Sequence, residues 1–250
     1  MQTIKAHIDV KRTEFLKLLG TRDEKSCLEY IDKYDDFYNM TCNDGINMLQ
    51  YACVYNLTNV AIALIDRKCD LTYEDAYRCS ALIYASSYGL KTVVTHIINN
   101  RIEPASQYKS IINKQSEMIY LTCQEDTKNV VKMIDNGYDI YYEYTNLFDR
   151  TSSLLSTAIM KNNECIIKKL IDIDINFAEQ FNEYCHENDV NSNLYDCVKT
   201  YCIDIYDGYK DTIIDAMNDA SPANVLYRSF HTTYAVELVD IICDFILLRM

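Results

Sequence analysis

Residues 44–100 carry one pattern twice, with each apolar landmark displaced by 33 positions. Leu49 recurs as Leu82, Ala52 as Ala85, Val60 as Val93 and Leu64 as Ile97. A repeat of this period implies a helix–turn–helix unit whose apolar face needs a neighbour, so the units stack. Divided by that period, the 250 residues make about seven units.

The first copy opens with Asn47-Met48-Leu49-Gln50-Tyr51-Ala52 and the second with Ser80-Ala81-Leu82-Ile83-Tyr84-Ala85. Both resemble the ankyrin signature Thr-Pro-Leu-His-x-Ala, the second more closely, with Ser in place of Thr. Ser153-Leu154-Leu155-Ser156-Thr157-Ala158 fits again, and Ile166-Ile167-Lys168-Lys169-Leu170-Ile171 fits the outer helix that follows. The resemblance implies an all-α ankyrin-repeat solenoid with irregular terminal caps. It covers residues 1–175 as about five repeats, the first degenerate. Residues 176–250 are read as two irregular ankyrin-like pairs or as a separate helical capping region.

In chain order, Met1–Lys11 is an extra helix or turn over the first unit. Glu14–Leu19 and Ser26–Ile31 form its helix pair, with Leu16 and Ile31 falling 33 before Leu49 and Leu64. Asn43-Asp44-Gly45 is a turn signal at the tip of the first finger. Gly89 falls where the two helices of a unit turn, a place that favours positive φ. In the fourth unit Glu125-Asp126 replaces such a glycine and the second helix looks one residue short, so a distorted unit is expected. Residues 101–116 are longer than a simple finger and include Tyr108–Ile112. Further on, Leu194, Cys197, Val198 and Tyr201 share a stripe. Thr212–Met217, Val225–Phe230 and Glu237–Ile246 read as separate short helices.

The formal net charge of −13 disfavours nucleic acid, whose capture depends on Lys and Arg at phosphates. It favours a protein partner with a basic surface. The 11 cysteines fall at core-like positions and no signal-peptide pattern precedes them, so reduced thiols and an intracellular location, cytoplasmic or nuclear, are expected. The run Ile241–Leu248 is too short to span a bilayer. A monomer is expected.

Candidates for chemistry are weak. Cys185-His186 joins a thiol and an imidazole, but adjacent helical side chains diverge by about 100°, so the pair is read as accidental. Cys185, His186, Cys197 and Cys202 lack the close Cys-x2-Cys spacing of a zinc site, and buried structural thiols are the simpler reading. The four histidines show no paired ligand spacing, and the Gly-poor chain has no phosphate loop. No catalytic residue, metal or cofactor is expected.

The 22 tyrosines are the better lead. A Tyr ring offers large contact area at low entropic cost, and its hydroxyl tolerates water. A low-GC genome would also raise Tyr everywhere, so some rings simply cover the next unit. The resemblance implies that fingers and inner helices make a concave binding face. Tyr38, Ile46, Tyr73, Tyr77, Tyr141, Tyr142, Tyr144 and Phe148 on fingers, with Tyr55 and Tyr88 on inner helices, are the candidate partner-binding set. The expected function is a non-enzymatic protein-interaction scaffold. The composition also resembles that of degenerate ankyrin proteins of large DNA viruses, which implies a host-interaction factor. Two alternatives are an adaptor recruiting ubiquitin-ligase machinery through the C-terminal helices and a cysteine-dependent enzyme using Cys185 and His186.

Overall fold

A computed structural model describes residues 2–42, 44–101, 115–145, 151–221, 223–230 and 241. The chain divides into two compact units, Met1–Leu154 and Leu155–Met250. Phe148, Tyr108–Ile112 and nearly all of Glu237–Ile246 lie outside the described residues.

The first unit is an all-α stack of hairpins. It contains α1 (Gln2–Thr21), α2 (Glu24–Lys33), α3 (Met48–Val54), α4 (Thr58–Asp66), α5 (Ala81–Ser87), α6 (Lys91–Asn100), α7 (Glu117–Cys123) and α8 (Thr127–Asp135). A two-stranded antiparallel ribbon, β1 (Glu143–Thr145) and β2 (Thr151–Ser153), follows, with Tyr144 opposite Ser152. Each helix packs on its hairpin partner and on its counterpart in the next hairpin.

The first helices α3, α5 and α7 start at polar caps. Asn47 accepts from the Gln50 amide and Gln50 returns a bond to the Asn47 amide, a capping box. Ser80 and Ser116 accept from the amides of Ile83 and Ile119. Positions two and five beyond the cap are buried throughout: Leu49 and Ala52, Leu82 and Ala85, Met118 and Leu121. The helix ends seven residues beyond the cap, and two places further on Asn56, Gly89 and Glu125 take φ of 61°, 71° and 58°. The bonds at this turn repeat as well. The amides of Leu57, Leu90 and Asp126 donate to the carbonyls of Ala52, Ala85 and Leu121 at 2.8–3.0 Å.

The fourth hairpin is therefore regular, contrary to the distortion expected of it. Glu125 adopts the left-handed conformation that Gly89 adopts freely, and α8 has 9 residues, as α4 does. The first hairpin runs in a different register from the one read off the sequence. Arg22, with φ 59°, is the counterpart of Asn56, so the offset here is 34. Phe15, fully buried, stands where Leu49 does, whereas Leu16 is only half-buried. Ile31 likewise matches Ile65. The extra helix or turn expected at Met1–Lys11 and the first member of the pair, Glu14–Leu19, are one continuous helix, α1.

The second helices α4, α6 and α8 bury a stripe three, four, seven and eight residues beyond the cap, and α2 buries the second and fourth of these places, Cys27 and Ile31. In α4 these are Val60, Ala61, Leu64 and Ile65, and in α6 Val93, Val94, Ile97 and Ile98. In α8 the first place is taken by Asn129, a buried amide. Its oxygen accepts from Thr95 Oγ1 at 2.7 Å, and its nitrogen donates to Asp126 Oδ2 at 2.8 Å and to the Lys91 carbonyl at 3.3 Å. A buried amide so satisfied ties α6 to α8 where Val would only pack.

The second unit holds α9 (Leu154–Met160, whose first residue closes the first unit), α10 (Glu164–Ile173), α11 (Asn176–Glu187), α12 (Ser192–Asn218) and α13 (Val225–Phe230). The α9–α10 turn repeats the local geometry of the others. Asn162 has φ 51°, and the Asn163 amide donates to the Ala158 carbonyl at 2.8 Å. Beyond it the pattern changes. The helix expected at Thr212–Met217 is the end of α12, which runs 27 residues without a break. Gly208 lies mid-helix and does not end it. Leu194, Val198 and Cys202 are buried on its first half, with Phe181 of α11 stacked on Tyr195 at 6.1 Å.

Glu125→Gly should raise stability by about 0.5–1 kcal/mol, because a Cβ in left-handed backbone costs about 1–2 kcal/mol. Equilibrium urea unfolding checks it. Gly89→Glu should lose a similar amount.

Candidate functional site

The fingers and first helices of the first unit form the candidate surface. The first two fingers are short hairpins, each closed by an isolated bridge, Thr41 with Asn47 and Glu74 with Ser80. Gly45 and Arg78, with φ 79° and 60°, turn the two tips at places 33 apart. Carboxylates hold both loops. Asp44 accepts from the Ile46 amide at 3.1 Å, and Asp75 accepts from the amides of Tyr77 and Cys79 at 2.8 and 2.9 Å.

The same carboxylates receive tyrosines from the first helices. Tyr51 donates to Asp44, and Tyr84 donates to Asp75 at 2.7 Å. Tyr120 stands four residues beyond its cap, as these two do, and its hydroxyl shares a 2.7 Å bond with Ser87 Oγ of the preceding hairpin. All three rings are half-buried. Burial and the neighbouring carboxylate push the Tyr51 and Tyr84 phenols well above the ordinary tyrosine value. Sequence reading missed this ladder. Its signal was available, since Tyr51 and Tyr84 lie 33 apart and Tyr120 a further 36.

Four residues on, and so on the same helix face, lie Tyr55 and Tyr88. Tyr55 is half-buried and stacks on Tyr51 at 6.1 Å, and Tyr88 is 47% exposed. Tyr77 is exposed at the second finger tip and Tyr141 before the ribbon. Ile46, Tyr73, Tyr142 and Tyr144 are half-buried, the Tyr73 hydroxyl donating to the Gly45 carbonyl of the previous finger. Tyr38 departs from expectation. It is 4% exposed and donates to the Ile31 and Tyr34 carbonyls, so it packs the first hairpin and offers no contact surface. Its ring meets Phe37 edge-on at 4.8 Å, which explains its place in that apolar cluster.

Beneath this surface is a buried ion pair. Arg101 caps the end of α6 and Glu117 opens α7, with side chains 2% and 5% exposed. The guanidinium forks onto both carboxylate oxygens and also donates to the Leu71 carbonyl at 3.0 Å, while Ser80 donates to Glu117 Oε1. Burial opposes the Arg101 charge, but Glu117 outweighs it and the cation is held. The pair thus joins a finger, the cap of α5, and the ends of α6 and α7.

Cys185 is half-buried on α11, and burial raises its thiol, the opposite of what an activated nucleophile needs. Lys168 donates to Cys197 Sγ at 3.7 Å, and Cys202 is buried. Among the described residues, no three His, Cys, Asp or Glu side chains gather as metal ligands, and no helix is long and apolar enough to cross a membrane.

The repeated caps, left-handed turns and buried stripes define an all-α ankyrin-repeat solenoid fold. The crystal structure of the ankyrin repeat protein EF0377 is similar. It matches with a TM-score of 0.52 at 21% sequence identity, over 63% of this chain and 79% of that one. No protein-family model and no curated protein matches the sequence.

Two outcomes follow from this geometry. Arg101→Met should destabilise the protein by about 3–5 kcal/mol in urea, because it strands the buried Glu117 charge. Burial pushes the Cys27, Cys42 and Cys202 thiols up to about 11 and that of Cys69 to about 12. The native state then holds more protons than the unfolded chain above pH 9 or so. Stability is whole below that pH, and the urea midpoint should fall as pH rises through about 11 to 12.

Proposed function

We propose that this protein is a non-enzymatic interaction scaffold that binds a partner protein through the fingers and first helices of its first unit. The observation that carries the reading is the ladder of Tyr51, Tyr84 and Tyr120, flanked by Tyr55 and Tyr88. Rings fixed by hydrogen bonds, those of Tyr51 and Tyr84 to finger carboxylates and that of Tyr120 to Ser87, lose little freedom on binding, which favours affinity. The fold supports it too, since stacked repeats present an extended surface suited to a protein ligand. The raised thiol of Cys185 weighs against the cysteine-enzyme alternative. A viral host-interaction role rests on composition alone, and the adaptor role on residues 220–250, most of which are outside the described set.

Tyr141, Tyr142 and Tyr144 extend the surface to the ribbon, and Ile46, Tyr73 and Tyr77 extend it along the fingers. Alanine at Tyr141, Tyr142 and Tyr144 together should leave the helical circular dichroism unchanged and weaken partner capture at least about tenfold, as loss of a few dominant side chains does. Unchanged capture removes the ribbon from the surface. Tyr55→Ala with Tyr88→Ala tests the helices in the same assay, and full capture by both variants would end the proposal.

A further inference from the structure

Beyond α1, the charges of the first unit are segregated by element. In the described fingers and first helices from residue 34 to 145 there are eleven carboxylates and one cation. That cation, Arg78, is already paired with Glu74 at 3.0 Å. The second helices α2, α4, α6 and α8, with the residue or two closing each, carry eight cations against five carboxylates. The tyrosine ladder therefore lies in the acidic half of the unit. Three of its carboxylates, Asp75, Glu117 and Asp126, are buried in structural bonds. Asp35, Asp44, Asp70, Glu125, Asp139 and Glu143 remain exposed.

We propose that the occupant of this face is an extended, basic segment of a partner protein, with Arg or Lys at about every third residue. The proposal rests on the scaffold reading above and specifies its ligand. Its first ground is charge complementarity, since a surface of carboxylates around electron-rich ring faces suits cations. Its second ground is spacing. Tyr51, Tyr84 and Tyr120 recur once per hairpin, and packed helices stand about 8–10 Å apart. A polyproline-type chain advances about 9.3 Å in three residues, and a β-strand about 10 Å. One side chain in three then meets one ring per hairpin, and the guanidinium or ammonium at its end reaches the finger carboxylates. Arg fits best, because its flat cation stacks on a ring while its N–H groups bond a carboxylate. The hydroxyls of Tyr51 and Tyr84 are committed to Asp44 and Asp75, so the rings receive the ligand by their faces.

The test uses the full chain and fluorescein-labelled synthetic peptides of ten residues. One carries Arg at every third position, separated by Pro and Ser. An isomer of the same composition has its Arg residues in one block, a third peptide has Glu for Arg, and a fourth is a neutral amphipathic helix. Anisotropy should show the periodic peptide binding about tenfold or more tightly than the block isomer, with no binding of the Glu peptide. Added salt should weaken it. Tyr88→Ala, and Asp70→Asn with Glu125→Gln, should each weaken it in protein of unchanged helical content. Equal binding of the two Arg isomers, or preference for the neutral helix, overturns the proposal. So does concentration-dependent self-association that Tyr88→Ala abolishes, which would place a second copy on this face. If no peptide binds but the tyrosine variants still lose partner capture, the basic segment fails and the scaffold stands. If capture also survives them, both fail.

Discussion

Everything in the first unit depends on an apolar layer that no hairpin can bury by itself. A first helix of 7 residues and a second of 9 or 10 are too short to persist alone in water. They persist because Leu49, Leu82 and Met118, with the stripes of α4, α6 and α8, are buried against the hairpins on either side. Ala52 and Ala85 permit that approach, being small where neighbouring first helices meet. Stability in such a stack is a sum over interfaces, so what protects one interface protects its neighbours.

The widest spacing between hairpins of the first unit is where polar chemistry is concentrated. Between Ser80 and Ser116 the cap-to-cap distance grows from 33 to 36. At that junction Arg101 and Glu117 form their buried fork, and Asn129 enters an apolar stripe with its amide satisfied by Thr95, Lys91 and Asp126. Apolar contacts tolerate a slip in packing, whereas a bidentate pair and a satisfied amide accept one arrangement. The physical result is a joint whose geometry is specified at the point where the repeat supplies least.

The same economy links fold to surface. Asp44 and Asp75 close the finger loops through backbone amides and also anchor the tyrosines of the adjoining first helices. A finger and a ring are thereby positioned together. The face is aromatic and acidic because the residues that shape its loops are acids and the residues that reach them are tyrosines.

Period and apolar stripes were legible in the chain itself, because burial against an identical neighbour imposes the same residue types at the same offsets. Leu49, Leu82 and their companions follow directly, as does the left-handed turn at Gly89. Glu125 was misread as a distortion because a non-glycine residue hides a backbone conformation that the surrounding hydrogen bonds impose. Phe15 was hidden by a single-residue shift of register, and Tyr38 looked like a finger contact until its carbonyl partners were visible. Of the nine aromatic candidates, Tyr77 at a finger tip, Tyr88 and Tyr141 are exposed. The ladder hydroxyls, the Arg101–Glu117 fork and the unbroken α12 were decided only by tertiary structure. Each depends on partners far apart along the chain or on packing that overrides local breaks, and one-dimensional periodicity contains neither.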